Sequence, residues 1–89
     1  MLTKTFTVKN KVGLHARPAA VLVQTASKFK SDIKIEKDGR VVSAKSILGV
    51  LSLGAEKGST IIVTVDGVDE VDALKTIEEL VNNNFGDPE

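Results

Sequence analysis

An α+β fold with helices covering one face of an antiparallel sheet is the class this sequence predicts. Three observations lead there. Four short stretches suit strands and three others suit helices, in the order β-α-β-β-α-β-α. The helical apolar stripes are one-sided, so each helix has one face to bury. Threonine and lysine recur within the strand stretches, which fits a sheet packed on one face and wet on the other. The 89 residues are expected to form a single domain over 1–89, because no repeat, linker or low-complexity tract divides them.

Residues 2–8 read as the first strand. Leu2, Phe6 and Val8 point one way and Thr3, Thr5 and Thr7 the other, with Lys4 interrupting the apolar side. Asn10 to Gly13 is a loop. Pro18 marks a helix start, since it has no N–H to lose in the first turn and its φ is preset. Ala16, Ala19, Ala20, Val23 and Ala26 form that helix's stripe, with Leu22 and Phe29 widening it. Its expected end is near Lys28 to Lys30, where basic side chains suit the negative end of the macrodipole. Residues 32–37 alternate with Ile33 and Ile35 inward, and Asp38-Gly39 signals a type I′ hairpin into a return strand over 40–43. Ile47 to Leu53 reads as a helix of about two turns, capped near Ser46 and stopped at Gly54, with a buried strand as the competing reading. Residues 60–66 form a strand with Ile61, Val63 and Val65 on one face. The last helix is expected to be capped by Asp69, to bury Val71, Leu74, Ile77, Val81 and Phe85, to turn Glu70, Asp72, Glu78 and Glu79 to water, and to end at Gly86 and Pro88.

Composition excludes several chemistries. Cysteine is absent, so disulfides, iron–sulfur clusters and thiolate zinc sites are absent too. Histidine occurs once, at His15, and one imidazole builds no His-rich metal site. Neither a metal nor a cofactor is expected. With no tryptophan or tyrosine and three phenylalanines, a base-stacking platform for nucleic acid is a poor fit. No apolar run is long enough to span a membrane, and residues 1–6 lack the apolar stretch of a signal peptide, so a cytoplasmic location is expected. The zero net charge hides a split. Residues 1–45 hold ten Lys/Arg against three acids, and residues 46–89 hold two Lys against nine acids. Such asymmetry suits steering toward a charged partner, although two solvated faces give the same counts.

One constellation carries chemistry. His15 stands just before a helix in which Arg17 is an early residue. The first N–H groups of a helix lack internal partners and the macrodipole is positive there, so an anion is stabilised at that end. Arg17 adds a planar fork of donors that matches phosphate oxygens. A neutral imidazole is a competent nucleophile near neutral pH. A phosphoryl group on His15 would meet the helix start and the guanidinium together. The blander reading of His15 is a polar cap, and that of Ser46 is an N-cap.

Gly13-Leu14-His15-Ala16-Arg17-Pro18-Ala19 resembles the active-centre signature of the histidine-containing phosphocarrier family of the bacterial sugar phosphotransferase system. Val23 to Phe29 resembles the first helix of that family's low-GC Gram-positive members, and Lys45 to Gly54 resembles its second signature, around a regulatory serine. The match runs over essentially the whole chain. It implies a βαββαβα open-faced sandwich with a four-stranded antiparallel sheet and three helices on one face. It implies a carrier that is a substrate of other enzymes: phosphorylated enzyme I would phosphorylate His15 on Nδ1, and His15 would donate to IIA domains of sugar permeases. Arg17 matches the phosphate-stabilising arginine. Ala16 and Pro18 match the helix start at the phosphate site. Ser46 matches the serine modified by an HPr kinase/phosphorylase and then read by a carbon catabolite regulator. Ala20, Gln24, Ile47, Leu48 and Leu51 match the partner-docking surface, with leucine at 48 and 51 where Gram-positive members usually have methionine. A monomer with no direct membrane insertion is the expected state. The alternatives are a purely regulatory paralogue acting through Ser46, the family's nitrogen-related branch, and a small-ligand-binding domain. His15 weighs against the first, the Lys45-Ser46-Ile47 match against the second and the lack of aromatic pocket residues against the third.

Overall fold

The computed structural model describes residues 1–86, so Pro88, expected to close the last helix, lies outside the described residues. The elements are β1 (Leu2–Thr7), α1 (Ala16–Ala26), β2 (Asp32–Lys37), β3 (Arg40–Ser43), α2 (Ile47–Ser52), β4 (Thr60–Asp66), α3 (Glu70–Asn82) and a closing turn at Asn84–Gly86. The order and type match the sequence reading. The strands form one antiparallel sheet in the order β1-β4-β2-β3.

The register shows why one face is apolar. Ile33 pairs with Val65, and Val65 in turn with Leu2. Ile35 sits between Val63 and Val42. These residues face the helices, and Ile33, Ile35, Ile61, Val63 and Val65 are buried. Burial of each such side chain contributes roughly 1.5–3 kcal/mol before entropy is counted. The outer row Thr3, Thr64, Lys34, Ser43 is polar, and the Thr3 and Thr64 hydroxyls lie 3.4 Å apart. Lys4 breaks the apolar side because β1 is an edge strand. Its Nζ reaches Glu78 Oε2 on α3 at 2.6 Å, and a charged edge discourages pairing with another chain.

The hairpin follows its sequence signal: Asp38 and Gly39 both take positive φ, at 52° and 83°. Gly49, an unpromising residue for a helix, has a packing reason. A Cβ there would lie 3.2 Å from both Val42 Cβ and Ser46 Oγ, so glycine lets α2 sit close on β3.

Several boundaries and stripes differ from expectation. β1 ends at Thr7, one residue early, yet Val8 is fully buried because its N–H and C=O pair with Ser59 and Gly58. α1 ends at Ala26 with Ser27 as C-cap, short of Lys28. Tighter bonds from Lys28 N–H to Thr25 C=O and from Phe29 N–H to Ala26 C=O end the helix and turn Phe29 toward the core. Its buried residues are Pro18, Ala19, Leu22 and Ala26, and Ala16 is exposed. In α3 the buried residues are Ala73, Ile77 and Val81, spaced by four, while Val71 is 66% exposed on the opposite side of the helix. Phe85 is buried but follows the helix: positive φ at Asn84 and Phe85 folds it back under the end of α3. α3 accordingly ends at Asn82, before Gly86.

Candidate functional site

The segment preceding α1 is held by backbone packing. Gly13 N–H donates to Asn10 C=O at 3.1 Å, and the buried Asn10 side chain returns a 2.6 Å bond to Gly13 C=O. Leu14 N–H donates to Ala55 C=O at 2.8 Å, and Val8 closes the other side of the loop onto Gly58 and Ser59. Gly13 is needed twice over. Its φ is +69°, and a Cβ would lie 2.4 Å from Ala55 O and 2.7 Å from Glu56 Cα. The loop 55–59 is thus the platform under the start of α1. Neither Asn10 nor this platform was singled out from sequence. The sequence marks Asn10 to Gly13 as a loop, and no signal in it ties that loop to residues 55–59.

On this platform His15 occupies the N-cap position, with φ −99° and ψ −160°, and its side chain makes no capping bond. Its carbonyl accepts from Ala19 N–H at 2.9 Å, so the helix begins in order. Arg17 is the second helical residue and is exposed, as is Ala16. Pro18 is buried and has no N–H, so it fixes the helix start from beneath and offers nothing to an anion. The unpaired N–H groups there belong to Ala16 and Arg17. No acid lies in the first turn.

Ser46 caps α2, its Oγ accepting from Gly49 N–H at 3.1 Å. Lys45 Nζ donates to Phe29 C=O at 2.7 Å, just past the end of α1, whereas Ala55, just past α2, holds Leu14. The two helices therefore run in opposite directions. Ser46 stands at the far end of α2 from His15, and the six residues of α2 put about 9 Å between its ends. Ile47, Leu48 and Leu51 are exposed, Leu48 at 77%, and line the way from Ser46 to His15. Ala20 is half-buried and Gln24 exposed. With Ala16 they recur every four residues along one stripe of α1. The structure thus brings His15 and Arg17 onto one helix start, with α2 packed alongside α1, and sets Ser46 apart.

Asp69 is not the side-chain cap that sequence suggested. Its carboxylate accepts from Lys30 N–H at 2.9 Å, Ser31 N–H at 2.9 Å and the Ser31 hydroxyl. The bond from the Ser31 hydroxyl, with those from the Lys30 and Ser31 N–H groups, holds the Asp69 carboxyl at about 2. Glu70 does not simply face water either. It accepts from Gly67 N–H at 3.1 Å and lies 3.1 Å from the Met1 ammonium, and both lower its pKa. Among the described residues no group of three or more His, Cys, Asp or Glu is placed to hold a metal, and no helix is long and apolar enough to cross a membrane.

The family model described as the PTS HPr component phosphorylation site matches residues 2–83. The chain belongs to the HPr phosphocarrier family of the phosphotransferase system. It is 49% identical over 87 residues to the phosphocarrier protein HPr of Xylella fastidiosa, covering 98% of each chain. Among solved structures it is similar to HPr-C-His from Thermoanaerobacter tengcongensis, with a TM-score of 0.96 at 48% identity over the whole of both chains. It is also similar to the HPr dimer from that organism, with a TM-score of 0.79 at 49% identity, covering 98% of this chain and 100% of the other. The HPr open-faced sandwich is the fold described above, with its helices on the face opposite the threonine row.

Proposed function

We propose that the chain carries a phosphoryl group on His15 Nδ1, taken from phosphorylated enzyme I and passed to IIA domains of sugar permeases. The observation that supports this most directly is the start of α1. It has an exposed imidazole at the N-cap, free N–H groups at Ala16 and Arg17, an exposed guanidinium and no acid in the first turn. Nδ1 attacks phosphorus with its lone pair, a P–N bond forms, and the bond to the donor breaks. The developing dianion meets the helix start and Arg17. Donation to a IIA domain runs the same step outward. The protein catalyses no turnover of its own and acts in the cytoplasm as a monomer. Ser46, phosphorylated by HPr kinase/phosphorylase, makes it a ligand of a carbon catabolite regulator, and Ile47, Leu48, Leu51, Ala20 and Gln24 form the docking surface.

Incubation with enzyme I and phosphoenolpyruvate, followed by mass spectrometry, tests the central claim. One phosphoryl group is expected, labile in acid and stable in alkali as a phosphoramidate is. His15→Ala should accept none, and Arg17→Ala should slow transfer by roughly ten- to a hundredfold while remaining folded. Label on His15→Ala under the same conditions would refute the assignment.

A further inference from the structure

The cations around the site differ in how they are held. Lys9, Lys11 and Lys57 are exposed loop residues, whereas Arg40 is fixed. It opens β3, and its Nε and Nη2 donate to Ser52 Oγ at 3.2 and 3.1 Å. That hydroxyl donates in turn to Gly49 C=O at 2.6 Å. The guanidinium is therefore tied to the last turn of α2. Ser52 follows Leu48 by four residues, so the Arg40 head lies one helical turn along the same stripe as the most exposed residue of α2.

The surroundings leave the charge of Arg40 open. Neither α1 nor α2 contains an acid. The nearby Asp38 is engaged by Lys37 Nζ at 3.1 Å, and among the described residues Arg40 forms no ion pair. The hydroxyl of Ser52 occupies only part of the guanidinium's five-donor fork. An oriented arginine beside an exposed leucine is the make-up of an interface anchor: the apolar contact excludes water, and the fixed fork selects a planar anion.

We propose that Arg40 is a docking residue that takes a carboxylate of an acidic protein partner while Leu48 takes that partner's apolar contact. The docking surface then extends from α2 onto β3. This rests on the carrier reading and deepens it, by specifying a carboxylate set beside an apolar side chain on the partner.

The test is the rate of His15 labelling by enzyme I and phosphoenolpyruvate against carrier concentration, for the intact chain, Arg40→Met, Arg40→Lys and Lys34→Met. Lys34 is a matched control: it stands on the open face of the sheet, beside Asp32. Arg40→Met should raise KM about three- to tenfold at low salt, and the difference should shrink at high salt because exposed charges are screened. Arg40→Lys should fall between, since it keeps the charge without the fork, and Lys34→Met should match the intact chain. An unchanged KM for Arg40→Met, an equal rise for Lys34→Met, or a rise that persists at high salt with a lowered Tm would overturn the role of Arg40. If Arg40→Met does not fold, an Arg40→Lys KM equal to that of the intact chain would overturn it. Failure of the intact chain to label at all would instead overturn the carrier reading, and this inference with it.

Discussion

The starts of α1 and α3 are chemical opposites. α1 begins with His15, whose side chain caps nothing, with no acid in its first turn. α3 begins with Asp69 and carries Glu70 and Asp72 in its first turn. Both ends have the same dipole direction and first-turn N–H groups without helical partners, although Pro18 removes one from α1 and Glu70 N–H in α3 donates to Gly67 C=O at 3.3 Å. At α3 the field is already answered by fixed carboxylates, which also accept from Lys30, Ser31 and Gly67 N–H. At α1 the field is unanswered, so that end has room for a passing anion. The means of anchoring differ too. The start of α1 is fixed by backbone contacts of Gly13 and Leu14 with Ala55, and the region of α3 by side-chain carboxylates. On the proposed function, the α1 end would exchange a charge, whereas the α3 end keeps its carboxylates in place.

The largest way to break the contrast is Gly13→Ala. Its Cβ would meet Ala55 O and Glu56 Cα, both backbone, at a φ that disfavours side chains. A loss of about 2–4 kcal/mol is expected, read as a lowered Tm, because the platform must move. An unchanged Tm would mean that the loop is softer than its packing implies. A second change makes α1 resemble α3. Ala16 is exposed in the first turn, so Ala16→Glu should fold normally, while its carboxylate competes for the helix start and repels a dianion. His15 labelling should slow by roughly tenfold or more at low salt. Labelling at the normal rate would remove the empty first turn from the explanation.

The α3 end is probed by acid. Asp69 is held at about 2 against an ordinary 3.8, so its folded value is the depressed one. Its contribution to stability is complete above the ordinary value and disappears as pH falls through the folded one. Glu70 is lowered as well and acts in the same direction. Tm should therefore drop between pH 4 and pH 2, and Asp69→Asn should start lower and show a shallower drop over that range. A parallel drop in both proteins would assign acid sensitivity to other carboxylates.

Much of this architecture was legible because it is periodic or local. Alternation placed β2 and β4, Asp38-Gly39 placed the hairpin, and Ser46 with Gly54 bounded α2. His15, Arg17 and Pro18 lie close enough in sequence for one helix start to be read directly. What escaped depended on partners distant in sequence. Val71 looked like core because the phase of α3 is set by packing of Ala73 and Ile77, and small Ala73 gave a weak hydropathy signal. Asp69 looked like a cap because its true partners are 38 and 39 residues away. The charge split between the two halves of the chain also changes meaning in space. Lys30 and Lys45 of the basic half lie near the far end of α1, while Lys57 of the acidic half lies in the platform loop near His15.

The smallest expected effects belong to the third helix start, which lies between the two extremes: α2 is capped by a neutral hydroxyl. Ser46→Ala leaves Gly49 N–H without its acceptor and should cost about 1 kcal/mol, whereas Ser46→Asp keeps an acceptor and should cost close to nothing. A phosphate on Ser46 brings a charge of about −2 to a helix start that tolerates it, so the fold should survive. On the proposed function its action would then lie in docking. Ile47, Leu48 and Leu51 would have to be desolvated beside a dianion, and an acidic partner drawn by Arg17 would be repelled. Phosphorylated Ser46 should slow His15 labelling by enzyme I, Ser46→Asp should slow it less, Ser46→Ala should not slow it, and the differences should shrink as salt rises. Equal labelling rates for all four forms at low salt would leave Ser46 a cap and nothing more.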